Sequence, residues 1–276
     1  MDMVEHRSVR MDLLSSKEVA NYLKRNDMVI LPVGCIEMHG PTIPLGCDAI
    51  HAWATSILLS EKWKCLVAPP VYYAYPGASG PWPGTVDISP EITVEYLKEI
   101  VLAFLKGGFN RVVLCGTHGP LNFIFGMVVR SIYQKTGKVV VGIMPEVMPE
   151  DLMRRELGYS RGEDILVLAS LKILGLHGVY DPKSNVEKQI EFPFHTIFYL
   201  KKYGGNSSLI PWCFKSDYQH TGIRKCVKLK DADKAIMVMK KAIERMEPFP
   251  KYFKRYLKEM EMLEKDKPWK KDKWSL

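Results

Sequence analysis

The sequence predicts an α/β layered fold with a largely parallel central sheet flanked by helices. Three observations carry this. Short apolar runs bounded by Gly and Pro alternate with stretches whose apolar residues recur at helical spacing. Successive runs are separated by the lengths of βαβ units, which set strands parallel and cover both sheet faces with helices. At 276 residues, 47% hydrophobic and 25% charged, the chain is long enough for one such domain and ordinary in composition.

Ser15 and Glu18 have the spacing of a capping box, and Val19, Tyr22 and Leu23 follow at helical intervals. A strand is predicted over Met28-Val29-Ile30-Leu31-Pro32-Val33-Gly34, with Pro32 arguing against its far end. Ile50, Trp53, Ala54, Ile57 and Leu58 mark an amphipathic helix. Lys64-Cys65-Leu66-Val67-Ala68 reads as a second strand, closed by Pro69 and Pro70. Residues 75–90 are punctuated by Gly and Pro and form a loop. Leu97, Ile100, Val101, Phe104 and Leu105 mark a helix stopped by Gly107 and Gly108.

Then come a strand over 111–115, a helix from Leu121 to about Gln134, a strand over 138–143 and a helix over 165–174. Residues 176–228 show no pattern regular enough to thread. Two helices close the chain, one marked by Ala235, Val238, Met239, Ala242 and Ile243, the other by Phe253, Tyr256, Leu257 and Met260. No repeat or linker divides the body. Residues 1–250 read as one domain and 251–276 as a basic helical extension.

A net charge of +8 invites a nucleic-acid reading, but its distribution removes it. Residues 1–223 carry 22 basic and 22 acidic side chains, whereas 224–276 carry 17 against 9. The whole excess belongs to the C-terminal fifth. There Trp269 and Trp274 lie among lysines, but Glu264, Asp266 and Asp272 are interleaved, which favours a frayed or docked tail over a nucleic-acid contact. Six cysteines without a C-x-x-C pair fit a reduced compartment. With no apolar leader-like run and no segment of membrane-spanning length, a cytoplasmic location is expected, with no nucleic acid and no membrane as partner.

In open α/β sheets ligands bind beyond the carboxyl ends of the strands. The first strand runs into Gly34-Cys35-Ile36-Glu37-Met38-His39-Gly40-Pro41, then Pro44-Leu45-Gly46-Cys47-Asp48. Glu37 and His39, two apart in an extended segment, point the same way. Together with Asp48 they form a hard-to-borderline ligand set suited to Zn²⁺ or Mn²⁺. Taken singly, Asp48 reads by default as a helix N-cap and Glu37 with His39 more often as a solvated pair, and the Gly- and Pro-rich turns around them shift the reading towards ligands. A second strand end, Leu114-Cys115-Gly116-Thr117-His118-Gly119-Pro120, places His118 between glycines as a further ligand candidate. His51, one turn into its helix beside Asp48, reads as a surface residue or as support for a ligand.

Residues 31–48, LPVGCIEMHGPTIPLGCD, resemble the opening signature of the creatininase (creatinine amidohydrolase) family, approximately L-P-x-G-S-x-E-Q-H-G-P-H-L-P-L-G-T-D. Pro83-Gly84-Thr85 resembles the family's F-P-G-T loop, Gly116-Thr117-His118-Gly119 its N-G-H-G turn, and Tyr159-Ser160-Arg161-Gly162-Glu163 its H-A-G-E. The resemblance spans roughly residues 12–175, in the family's order.

It implies a binuclear divalent site, with Zn or Mn and with Fe admissible, in which Asp48 bridges. Glu37, Asp48 and His118 would hold one ion, and His39, Asp48 and a further carboxylate the other. Such a pair, about 3.5–4 Å apart, activates a shared water and polarises a scissile carbonyl. The implied activity is hydrolysis of a C–N bond in a small cyclic or linear amide, and the implied assembly a homo-oligomer. The family's carboxylate two residues after the N-G-H histidine is Pro120 here, which cannot ligate, and Glu163 is the nearest substitute by motif, ahead of Glu146. Ser160 stands at the H-A-G-E histidine, and Ile165-Leu166-Val167 replaces an E-T-S run. Creatinine itself is therefore not the favoured substrate, and no general base is assigned. The alternative is a non-catalytic descendant that keeps the metal-binding fold and binds a small ligand or protein partner.

Overall fold

The computed structural model describes residues 6–41, 43–147, 149–158, 163–177, 199, 202–203 and 229–266. Four strands, β1 (Met28–Val33), β2 (Leu66–Val67), β3 (Arg111–Gly116) and β4 (Val141–Ile143), form one sheet in the order β2-β1-β3-β4. All three pairings are parallel. The helices are α1 (Ser16–Leu23), α2 (Cys47–Trp63), α3 (Pro90–Lys106), α4 (Leu121–Thr136), α5 (Glu150–Leu157), α6 (Glu163–Ile173), α7 (Ala232–Glu244) and α8 (Phe249–Asp266).

Strand side chains alternate between two cores. Met28, Ile30, Val113 and Cys115 face α2, α5, α6, α7 and the start of α8. Val29, Leu31, Val33, Val112 and Leu114 face α1, α3 and α4. This is the layered arrangement the alternation of runs predicts, because strands covered on both faces are apolar throughout.

The elements differ from their sequence expectations mainly at their ends. Pro32 does lie inside a central strand, paired with Cys115 of β3. Its carbonyl accepts the Val71 N–H at 2.9 Å, so its missing N–H faces the side where β2 has already ended. No ladder bond to β3 is lost. Helix α3 starts seven residues before Leu97, with Pro90 in its first turn and the Ser89 hydroxyl accepting the Ile92 N–H at 3.3 Å. Helix α2 starts at Cys47 with Gly46 as its N-cap, so Asp48 sits inside the first turn and is not the cap. Helix α5 has no counterpart in the sequence reading. The capping box at Ser15 and Glu18 is formed in both directions.

The start of the C-terminal extension is packed. Phe249 stacks on Trp63 at 4.6 Å, Trp63 Nε1 donates to the Met246 carbonyl at 2.8 Å, and Phe253 is buried. Residues 267–276, with Trp269 and Trp274, lie outside the described residues, as does nearly all of 176–228. Among the described residues no helix is long and apolar enough to cross a membrane.

Candidate metal centre

The β1 and β3 registers align Val33 with Gly116, so the chain leaves both strands side by side at one edge of the sheet. From that edge β1 continues into Cys35, Glu37 and His39, and β3 into Thr117 and His118. The third contributor is the start of α2, which is laid directly over Gly34. A Cβ at Gly34 would stand 2.2 Å from the Ala49 backbone nitrogen, so only glycine admits this approach.

The 34–40 segment is held by backbone partners on both sides. Glu37 N–H donates to the Leu45 carbonyl at 2.9 Å, the Ile36 carbonyl accepts from Val86 N–H at 2.9 Å, and Met38 N–H donates to Thr85 Oγ1 at 3.1 Å. Thr85 closes the Pro83-Gly84-Thr85 turn. Gly84 there has φ +86°, and its missing side chain leaves room for Leu45, whose Cδ1 would otherwise lie 2.6 Å from a Cβ. On the other side, the Thr117 hydroxyl donates to the Asp48 carbonyl at 3.1 Å and ties the β3 turn to α2.

Glu37, His39, Asp48 and His118 are thereby brought together, each less than 9% exposed. His118 Nδ1 lies 3.0 Å from both Glu37 Oε1 and Asp48 Oδ2. His39 Nε2 lies 3.5 Å from Glu37 Oε1 and 3.7 Å from Asp48 Oδ1. The two Asp48 oxygens therefore face different partners, Oδ2 towards His118 and Oδ1 towards His39. The ligating faces are also oriented from behind. His39 Nδ1 is 3.3 Å from the Glu37 carbonyl, which can only accept, so Nδ1 carries the proton and Nε2 offers its lone pair. The Ser79 hydroxyl donates to Glu37 Oε2 at 2.6 Å and leaves Oε1 for the cluster.

Two thiols belong to the same cluster. Cys35 Sγ donates to Asp48 Oδ2 at 3.2 Å. Donor atoms of Cys35, Glu37, Asp48 and His118 all lie within 4.8 Å of one another, as do those of His39, Cys47 and Asp48. A tetrahedral ion with bonds of about 2.0–2.3 Å spaces its donors roughly 3.3–3.8 Å apart, close to the distances found. Two buried carboxylates converging on imidazoles need a compensating positive charge, and the donor set fits a divalent cation.

The electrostatics agree. Burial alone would raise Asp48, but His118 and His39 outweigh it and hold its carboxyl well below the usual range. Burial would lower His118, but Asp48 and Glu37 outweigh it and raise the imidazole to about 10. Protons and metal thus compete for His118. The Cys35 and Cys47 thiols are pushed up, first by burial and then by the neighbouring Asp48 carboxylate.

Glu163 opens α6, is exposed, and contributes no atom to either donor group, although its charge is felt at Cys47 and His51. Glu146 is exposed in the loop after β4. Ser160 lies outside the described residues. Pro120 packs against Gly77, where a Cβ would meet its Cγ at 3.0 Å. His51 is buried, not a surface residue; burial pushes it down to about 4, against the pull of Asp48, so it is neutral at pH 7.

Sequence reasoning left out Cys35, Cys47, Ser79 and Thr117. The two-residue spacing that pairs Glu37 with His39 also pairs Cys35 with Glu37, so a signal for Cys35 was present. Ser79, 42 residues from Glu37, gave none.

The family model for creatininase, described as creatinine amidohydrolase, matches residues 12–172, more than half of the chain. The chain belongs to the creatininase family. It is 34% identical to 3-dehydro-scyllo-inosose hydrolase of Thermotoga maritima over 107 residues, 38% of this chain and 34% of that one. It is 26% identical to creatinine amidohydrolase of Pseudomonas putida over 168 residues, 59% of this chain and 56% of that one. The chain thus spans a third to just over half of the length of these curated relatives.

A solved creatinine amidohydrolase structure superposes with a TM-score of 0.64 at 18% identity, covering 87% of this chain and 96% of that one, which shows the fold alone. Solved creatininases of the same fold include a manganese form and a Zn-Zn form, at 18% and 16% identity.

Proposed function

We propose that this creatininase-family chain is a metal-dependent hydrolase that cleaves a C–N bond in a small cyclic or linear amide. The observation that carries the reading is the position of Asp48, whose two carboxylate oxygens each face a separate set of buried donors. His118 lies on the Oδ2 side and His39 on the Oδ1 side, and Glu37 Oε1 faces both imidazoles. Kinship with hydrolases, and the zinc and manganese forms among creatininases of this fold, support the reaction class and the two-ion count.

When bound, a divalent pair supplies an activated water at neutral pH and polarises the amide carbonyl. The chain's own residues set the geometry for this. Ser79 fixes Glu37 through its outer oxygen, the Glu37 carbonyl fixes the His39 tautomer, and Thr117 fixes the backbone of Asp48. Burial of all four ligands removes competing water and strengthens each electrostatic contact. Glu163, exposed and outside both donor groups, acts on Cys47 and His51 through its charge alone.

A second reading is favoured by Pro120, which puts a ring where the family signature leads to a carboxylate. It is a descendant that holds metal and a ligand without turnover. Elemental analysis of the purified chain beside Asp48→Ala and His118→Ala tests the metal reading. Near-stoichiometric zinc or manganese, sharply reduced in both variants, is expected. A folded, metal-free wild type would refute it. A screen over small amides, formamides and lactams then separates hydrolase from binder.

A further inference from the structure

Each half of the Asp48 site contains one cysteine. Cys35 stands with Glu37, Asp48 and His118, and Cys47 with His39 and Asp48. Both are buried, at 0% and 1% exposure, and both sit on the backbone that positions the ligands. Cys35 follows Gly34 at the end of β1 and its thiol already donates to Asp48 Oδ2 at 3.2 Å. Cys47 is the first residue of α2, adjacent to Asp48. The signature that this segment resembles has serine and threonine at these two places. Among the described residues the His39 side is also the poorer one, because Pro120 offers no donor and Glu163 lies outside the group.

We infer that Cys35 and Cys47 are thiolate ligands, one to each ion of the site, with Cys47 supplying the donor that the Pro120 position cannot. Each thiol loses its proton to solvent as its metal–sulfur bond forms, so no oxidant or reductant is involved. The consequence is a changed metal preference. Two carboxylates and two imidazoles accept manganese and zinc alike, whereas two added thiolates select zinc, cobalt or cadmium against manganese and magnesium.

The inference rests on the metal-site reading above, and the test separates the two. Protein stripped with a chelator is titrated with Co²⁺ and followed in the near ultraviolet, where thiolate-to-cobalt charge transfer absorbs, and in the visible, where bound cobalt absorbs through its own d–d bands. Wild type, C35S, C47S and the double variant are compared, with C65A as a control cysteine outside the cluster. Wild type and C65A are expected to show the near-ultraviolet band. Each single serine variant should lose about half of it and the double variant all of it. Zinc affinity should fall about tenfold or more in each single variant, while manganese affinity changes little, since oxygen replaces sulfur.

Cobalt bound in wild type with visible bands but no thiolate band overturns the inference and leaves the metal site standing. Failure of wild type to bind cobalt, zinc or manganese overturns both. Absence of the wild-type band is decisive even where a serine variant fails to fold, and a band that persists in the double variant overturns the assignment to Cys35 and Cys47.

Discussion

Replacing Gly34 with alanine tests how the site is assembled. The new Cβ would lie 2.2 Å from Ala49 N, 2.4 Å from Ala49 Cα and 2.6 Å from the Asp48 carbonyl carbon. Ordinary contacts begin near 3.4 Å, so the first turn of α2 must retreat by more than 1 Å. None of the three atoms belongs to a flexible side chain, so the clash cannot be relieved by a rotamer change. Overpacking of a core typically costs about 1–3 kcal/mol, and backbone against backbone belongs at the upper end, about 3 kcal/mol. The same displacement carries Asp48 away from His118, whose Nδ1 lies 3.0 Å from both Asp48 Oδ2 and Glu37 Oε1.

Urea unfolding gives the stability change, and elemental analysis after dialysis against zinc gives the metal content. Gly34→Ala is expected to lower both. Gly119→Ala is the control, because it adds a methyl beside His118 with nothing within 4 Å, and it should stay within about 0.5 kcal/mol of wild type. A Gly34→Ala protein with wild-type stability and full metal content would refute the close approach of α2 as the device that builds the site.

Other outcomes follow from the same geometry. Ser79→Ala removes the 2.6 Å bond that orients Glu37 and should weaken metal binding by about 10–100-fold in a zinc titration, with little change in fold by circular dichroism. In chelator, the raised His118 imidazole contributes stability that is full below its ordinary value of 6.5 and is lost as pH rises through about 10. Unfolding free energy measured across that window should therefore fall, whereas zinc affinity over the same window should rise as the competing proton leaves. Gly126→Ala, inside α4 with nothing within 4 Å, should stabilise by roughly 0.5–1 kcal/mol in urea unfolding. Ser15→Ala, which removes the hydroxyl that accepts the Glu18 N–H but keeps the backbone N–H bond to the Glu18 carboxylate, should cost about 1 kcal/mol.

The layered α/β class, the parallel sheet and four members of the candidate site were legible in the sequence, because each depends on local pattern. Apolar runs of strand length report strands, and their spacing reports crossovers. Glu37 and His39 lie two apart on one segment, and Asp48 and His118 stand next to small residues at chain reversals. What failed locally also has local causes. Helix α5 is short and lies between weak signals, and α3 begins on a Ser-Pro pair absorbed into a Gly- and Pro-rich loop.

The long-range choices belonged to tertiary structure. Sequence order alone gives no reason for β1 to lie between β2 and β3, yet that order sets Val33 beside Gly116 and joins two distant segments into one cluster. It divides the oxygens of Asp48 between His118 and His39, brings Ser79 to Glu37 from 42 residues away, and turns Cys35 and Cys47 from unremarkable buried cysteines into donors on opposite sides of one carboxylate. Residue types and their spacing fix what each segment can bind. Only the packing of α2 over Gly34 decides which of those donors come together.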